Sequence, residues 1–198
     1  MSTTALIGST GLVGSNILTT LLSSPNVSTV QTISRRAPKA TPPKLNAILE
    51  PDTSIWKSRL ASLSPKPTTV FSALGTTRAA AGGIANQWKI DHDLNVELAR
   101  EDTVKELGFD NAVILRPGLI LGEREEKKPL GGILNPAVHG IGKVLGLWAQ
   151  DMLGQDALVI ARAAVHAARL VEEGKAPEKY WVLEGGDIVR LGRTEWKE

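Results

Sequence analysis

Apolar residues along the chain follow two periods in alternation. Thr3 to Ile7, Val27 to Ser34, Leu45 to Leu49, Thr69 to Leu74, residues 112–115 and Tyr180 to Leu183 are apolar runs of strand length. Between them the helical period takes over. From Leu12 to Leu22, residues Val13, Ile17, Leu18, Leu21 and Leu22 share one helical face. Trp56 to Leu63 predicts a short helix, and Ala85 to Arg100 and Ala157 to Val171 predict longer ones. Pro25-Asn26, the prolines at 38, 42, 43, 65 and 67, and Arg116-Pro117-Gly118 punctuate these elements. Strands alternating with helices predict an α/β fold with a doubly wound parallel sheet. No repeat or low-complexity tract interrupts the pattern.

Composition narrows the function. The 198 residues suit a single domain, residues 1–198, with a buried core. Apolar residues make up 42% and charged residues 22%, which excludes wholesale disorder. The net charge is only +2, which argues against a nucleic-acid partner. The chain has no cysteine, so disulfides, thiolate metal sites and Cys nucleophiles are excluded together. No apolar stretch approaches the roughly 18–20 residues that a spanning helix needs. A soluble, intracellular domain is expected. No Asp or Glu precedes Glu50, whereas Ser, Thr, Arg35, Arg36, Lys39 and Lys44 are plentiful. That composition imitates a mitochondrial presequence. Cleavage near residue 40 would remove the best motif in the chain, so the segment is read as folded sequence.

That motif is Gly8-Ser9-Thr10-Gly11-Leu12-Val13-Gly14, a G-x-x-G-x-x-G variant of the dinucleotide fingerprint. With 19 glycines in the chain the spacing alone is weak, but its context is specific. It follows a predicted strand and opens a predicted helix, where backbone N–H groups and the helix dipole hold a pyrophosphate. Glycine admits the tight turn and the close approach of phosphate. Twenty residues beyond Gly14, where an NAD site places an Asp or Glu on the ribose, the chain has Ser34-Arg35-Arg36. A carboxylate repels a 2′-phosphate, and guanidinium forks bind one, so NADP(H) is favoured over NAD(H). The plain alternative is that these arginines solvate the end of a strand.

The order of these and later motifs is itself informative. Gly8 to Gly14, Ile33-Ser34-Arg35-Arg36, Leu74-Gly75-Thr76-Thr77-Arg78, Ile90-Asp91 to Asn95-Val96 and Ile114-Leu115-Arg116-Pro117-Gly118 follow one another as in a single family. From Ala5 to about Gly192 the chain resembles the fungal "found in mitochondrial proteome" group of atypical short-chain dehydrogenases. An animal relative of that group is the Tat-interacting, oxidoreductase-like tumour suppressor. The resemblance implies an NAD(P)-binding Rossmann domain. It also implies peripheral attachment to the cytosolic face of the mitochondrial outer membrane, against a plain cytoplasmic alternative.

The resemblance exposes a gap. Its members continue past the Asn95 helix into a strand ending in Ser-Ser and a Tyr-x-x-x-Lys helix. Here Leu98-Ala99-Arg100 runs straight into Glu101-Asp102-Thr103-Val104. About 35 residues, the length of one strand–helix unit, are missing. The sole tyrosine is Tyr180, and Glu184 stands where its lysine partner would be. The sheet is therefore expected to be shortened by one unit, and no catalytic residue is assigned. An active reductase using other proton donors, a cofactor-sensing scaffold and a shortened gene model or splice form are the competing readings.

Other positions carry two readings each. Asp52 suits either an adenine contact or a helix N-cap. Gly75, Thr76 and Thr77 suit either cofactor neighbours at the carboxyl edge or an ordinary loop. Asn95 is either the family's water-ordering asparagine or structural, and Arg116-Pro117-Gly118 either covers the nicotinamide half of the cleft or ends a strand. His92, His139 and His166 lack metal-ligand spacing and are read as surface or packing residues. Leu130 to Trp148, flanked by Lys127 and Lys128 and containing Lys143, is either a packed insertion, a substrate lid or a membrane-surface segment.

Overall fold

The computed structural model describes residues 1–40, 43–74, 108–122 and 154–197. They fall into two compact units, Met1–Ala112 and Val113–Glu198.

In the first unit, strand β1 (Ser2–Ile7) leads through a glycine loop into helix α1 (Leu12–Ser23) and back into β2 (Val27–Ser34). Strand β3 (Leu45–Leu49), a 3-10 turn (Thr53–Ile55), helix α2 (Trp56–Ala61) and β4 (Thr69–Ser72) complete it. All four strands are parallel, in the order β3-β2-β1-β4. Ile7 lies level with Ile33 of β2 and Ser72 of β4, and Ser34 lies level with Leu49 of β3. The four carboxyl ends therefore gather along one edge. This is a Rossmann-type half-sheet, and its order reverses between β1 and β4.

The core follows from the two-residue period of the strands. Ala5, Ile7 and Ile33 pack with Trp56, Leu60 and Leu63 on the α2 side. Leu6 and Val30 alternate to the opposite face and are fully buried as well, while α1 buries Ile17, Leu18 and Leu21. Apolar burial on both faces is what a parallel sheet requires. Each such aliphatic side chain contributes roughly 1.5–3 kcal/mol. The Gln31 amide and the Thr32 hydroxyl are also buried here without a hydrogen-bond partner among the described residues, which costs on the order of 1–3 kcal/mol each. α1 ends where Ser24 leaves helical geometry, and Lys44 donates its ammonium to the Ser24 carbonyl at 2.9 Å.

The second unit contains two short sheets, β5 (Ala112–Leu115) with β8 (Tyr180–Leu183) and β6 (Leu119–Leu121) parallel to β7 (Gly154–Asp156). Helix α3 (Ala157–Glu172) is capped by Asp156, whose Oδ1 accepts the Leu158 N–H at 2.8 Å. Helix α4 (Gly185–Val189) runs into a π-helical turn, Arg190–Thr194, whose Leu191 is fully buried. His166 donates its Nδ1–H to the Leu191 carbonyl at 3.0 Å, and Trp196 lies within 5.8 Å of the Arg162 guanidinium and 5.1 Å of the Arg169 guanidinium. His166 is thus a packing residue, as its isolated spacing suggests. β6, β7 and α4 are not predicted by the apolar pattern. The predicted helix from Ala85 to Arg100 lies outside the described residues.

Candidate functional site

The glycine loop leaves β1 at the carboxyl edge of the sheet, beside β4. Gly8 has φ +83°, a left-handed conformation, and a Cβ there would sit 2.6 Å from the Ala73 carbonyl oxygen. A Cβ on Gly14 would collide with the Gly8 carbonyl itself. The turn closes with the Gly11 N–H donating to the Gly8 oxygen at 3.0 Å, and the Ala73 N–H donates to the Ile7 oxygen at 3.0 Å. These contacts bring three stretches of backbone too close together for side chains.

Helix α1 begins in this loop without a capping side chain. Gly11 is its N-cap, no side-chain cap bond is made among the described residues, and no acidic residue occupies the first turn. Its leading N–H groups and the positive end of its dipole are thus available to an anion. Ser9 is 1% exposed, and its hydroxyl has no hydrogen-bond partner among the described residues. Thr10, Leu12 and Val13 are partly exposed around it. An orphaned hydroxyl beside an uncapped helix start, in a cradle that any Cβ would fill, fits a bound pyrophosphate.

The end of β2 forms the next wall. Ser34 is buried, and its hydroxyl donates to the Arg36 carbonyl at 2.7 Å, which bends the chain immediately after the strand. Arg35 and Arg36 project from that bend, exposed, and no ion pair holds either of them among the described residues.

The end of β3 holds the residue that the sequence reading missed. Glu50 is 8% exposed, and its N–H donates to the Ser34 carbonyl at 3.0 Å, so it stands beside the ribose-recognition position. Its carboxylate is nevertheless engaged. Oε1 accepts the Asp52 N–H at 3.1 Å and Oε2 accepts Arg59 Nε at 3.2 Å, while Trp56 Nε1 donates to its carbonyl at 3.0 Å. The only signal in the sequence was that Glu50 is the first acid in the chain. Asp52 caps the 3-10 turn, because its Oδ1 accepts from Ser54 Oγ at 2.7 Å and Ser54 N at 2.9 Å. These two bonds, the hydroxyl first, hold its carboxyl below the usual carboxylate range, so the cap persists into mild acid and is lost as pH falls through that lowered value.

In the second unit, Arg116-Pro117-Gly118 is tied down at three points. The Arg116 N–H donates to the Leu183 carbonyl at 2.9 Å, and its guanidinium pairs with Glu184 at 3.2 Å. The Gly118 N–H donates to Oε1 of the buried Gln155 at 2.7 Å. The position four residues after Tyr180, where a catalytic pair would need an ammonium, is thus a carboxylate already paired with arginine. Gly75, Thr76, Thr77, Arg78, Asn95, His92, His139 and Leu130 to Trp148 lie outside the described residues.

No family model matches the chain. Individual proteins do. The chain is 50% identical over 233 aligned residues to Protein FMP52, mitochondrial, of Chaetomium globosum, with 100% of both chains covered. It is 53% identical over 237 residues to Protein fmp-52, mitochondrial, of Neurospora crassa, covering 100% of this chain and 98% of that one. Set against 198 residues, the 233-residue alignment leaves at least 35 positions without a residue of this chain, and full coverage of both partners puts them inside it. That is the strand–helix length that the motif order finds missing after Arg100. Among solved structures, UDP-glucose 4-epimerase from Brucella ovis, in complex with NAD, shares the fold at TM-score 0.55, 12% identity, 96% of this chain and 81% of that one. MoeE5, in complex with UDP-glucuronic acid and NAD, does so at TM-score 0.51, 15% identity, 91% of this chain and 75% of that one. Likeness at such identities speaks for the Rossmann fold alone, but the fungal proteins settle the family: the chain belongs to the FMP52 family of fungal mitochondrial proteins.

Proposed function

We propose that the chain, as a single domain over residues 1–198, binds a dinucleotide, NADP(H) in preference to NAD(H), and does not turn it over. The observation that carries this reading is the uncapped start of α1 behind Gly8, Gly11 and Gly14, with the orphaned Ser9 hydroxyl beside it. The pyrophosphate is held by the N–H groups that open α1, and Thr10, Leu12 and Val13 line that stretch. Arg35 and Arg36 take the 2′-phosphate beyond Ser34. Asp52, besides capping the 3-10 turn, is proposed as a neighbour of the adenine, and Gly75, Thr76 and Thr77, which lie outside the described residues, are proposed as further cofactor contacts. The NAD bound in the two solved relatives of the fold is consistent with a dinucleotide here. The phosphate preference rests on this chain's own charges, because the one acid beside Ser34 is turned toward Arg59. Losing one charge-assisted contact costs about 1.5–3 kcal/mol, roughly ten- to hundred-fold in affinity. Wild type is expected to bind NADPH at least about tenfold more tightly than NADH, and Arg35→Ala to lose that difference while keeping its NADH affinity. Equal affinities in wild type would defeat the preference.

We place the protein on the surface of the mitochondrial outer membrane, held peripherally. Among the described residues no helix is long and apolar enough to cross a membrane. Leu130 to Trp148, with Lys127, Lys128 and Lys143, combines apolar insertion with basic attraction, two signals that together reach stable binding where one is marginal. Alkaline carbonate is expected to release the protein from isolated mitochondria. Its retention in the carbonate pellet would exclude a peripheral mode.

A further inference from the structure

Strand β3 forms one edge of the four-stranded sheet, and among the described residues no strand pairs with its outer side. Its sequence, Leu45-Asn46-Ala47-Ile48-Leu49, carries no charge and no proline, and its register with β2 runs without a bulge. Exposed edges are normally blunted by just such devices. Here Asn46, Ala47 and Leu49 are all exposed, and Leu49 keeps 57% of its surface in solvent.

The backbone directions fix what this edge can accept. The Val30 N–H donates to the Lys44 carbonyl at 2.8 Å, and the Glu50 N–H donates to the Ser34 carbonyl at 3.0 Å. In a parallel ladder with this register, Lys44, Asn46, Ile48 and Glu50 turn their backbone groups toward β2. Leu45, Ala47 and Leu49 turn theirs outward. These three positions are spaced symmetrically about Ala47.

We propose that the outer edge of β3 is a homodimer interface, in which two copies pair antiparallel about a two-fold axis through Ala47. In that register Leu45 faces the partner's Leu49, Ala47 faces the partner's Ala47, and Leu49 faces the partner's Leu45. All three outward positions then fall in hydrogen-bonded pairs. On the same face, the exposed Leu49 is covered by a leucine on each side of the axis. Pro43 and Pro51 bound the strand on both sides. A slip of two residues in either direction sets one of these prolines against an outward leucine and removes a donor. The edge is thus complementary to itself in one register, as an isologous interface requires. That self-complementarity favours a second copy of this chain over a foreign strand.

The test uses the full chain. By sedimentation equilibrium, wild type is expected at twice its 21.1 kDa chain mass. Ala47→Glu and Ala47→Lys each set like charges face to face across the axis and are expected to be monomeric, whereas their equimolar mixture returns to the dimer mass. Residue 47 is solvent-exposed, and a wild-type circular-dichroism spectrum with a cooperative melt shows that both variants fold. The absence of native cysteine makes cross-linking specific. Ala47→Cys is expected to form a disulfide dimer under mild oxidation, since hydrogen-bonded antiparallel pairs lie about 5.5 Å apart, within disulfide reach. Leu45→Cys lies about 14 Å from its own copy and is expected to stay uncross-linked. A monomeric wild type throughout the micromolar range would overturn the proposal. So would dimeric Ala47→Glu, or cross-linking at position 45 as efficient as at 47.

Discussion

Gly14→Ala is expected to abolish dinucleotide binding, with a loss of about a hundredfold or more in NADPH affinity. The Gly14 Cα faces the Gly8 carbonyl so closely that a methyl group cannot be accommodated without moving backbone. Gly8 cannot yield, because its left-handed φ and the bond from the Ala73 N–H to the preceding Ile7 carbonyl fix it beside β4. The loop must therefore shift at the point where the leading N–H groups of α1 meet the ligand. Two misdirected charge-assisted bonds, at about 1.5–3 kcal/mol each, suffice for that loss. Overpacking costs stability as well, roughly 1–3 kcal/mol, which urea unfolding reads separately. A folded Gly14→Ala protein with wild-type NADPH affinity would remove the loop from the site.

The second large effect concerns chemistry. With NADPH and a panel of aldehydes, ketones and quinones, the chain is expected to show hydride transfer at or near background. A short-chain reductase needs a phenol to exchange the carbonyl proton and an ammonium to lower that phenol's pKa and hold the nicotinamide ribose. Tyr180 is half-buried in β8, and Glu184, at the partner position, is paired with Arg116. General acid–base catalysis typically contributes about 10²–10⁴-fold, and poorer placement of the nicotinamide adds to the deficit. Inserting a family strand–helix unit with its Tyr-x-x-x-Lys after Arg100 is expected to recover activity by that order. Robust turnover by the 198-residue chain itself would show that another group supplies the proton.

The first βαβ unit was legible because local signals agree with tertiary demands there. Val27 to Ser34 reads as a strand and is one over those same residues, and Leu12 to Leu22 differs from the observed helix by a single residue at its end. The arginines at 35 and 36 sit on an exposed bend, as their charge requires. The second unit was harder to read. β6 and β7 are three residues long, too short to show a period, and β7 contains a glycine and two polar residues. α4 opens with Gly185-Gly186, the poorest helix formers but proline, and depends on Asp187 accepting the Glu184 N–H at 3.3 Å. Glu50 shows a further limit of sequence patterns. Nothing in its neighbours announces that Arg59, nine residues away, holds its carboxylate. Asp52 carried two readings, and its bonds to Ser54 display the capping role.

Isothermal titration of the purified chain with NADPH, with the nicotinamide assayed afterwards, decides whether this chain binds a dinucleotide without oxidising it. Saturable binding of one NADPH per chain is expected, with weaker binding of NADH in the matched titration and recovery of the added NADPH fully reduced. Absence of saturable binding by a folded chain would contradict that expectation.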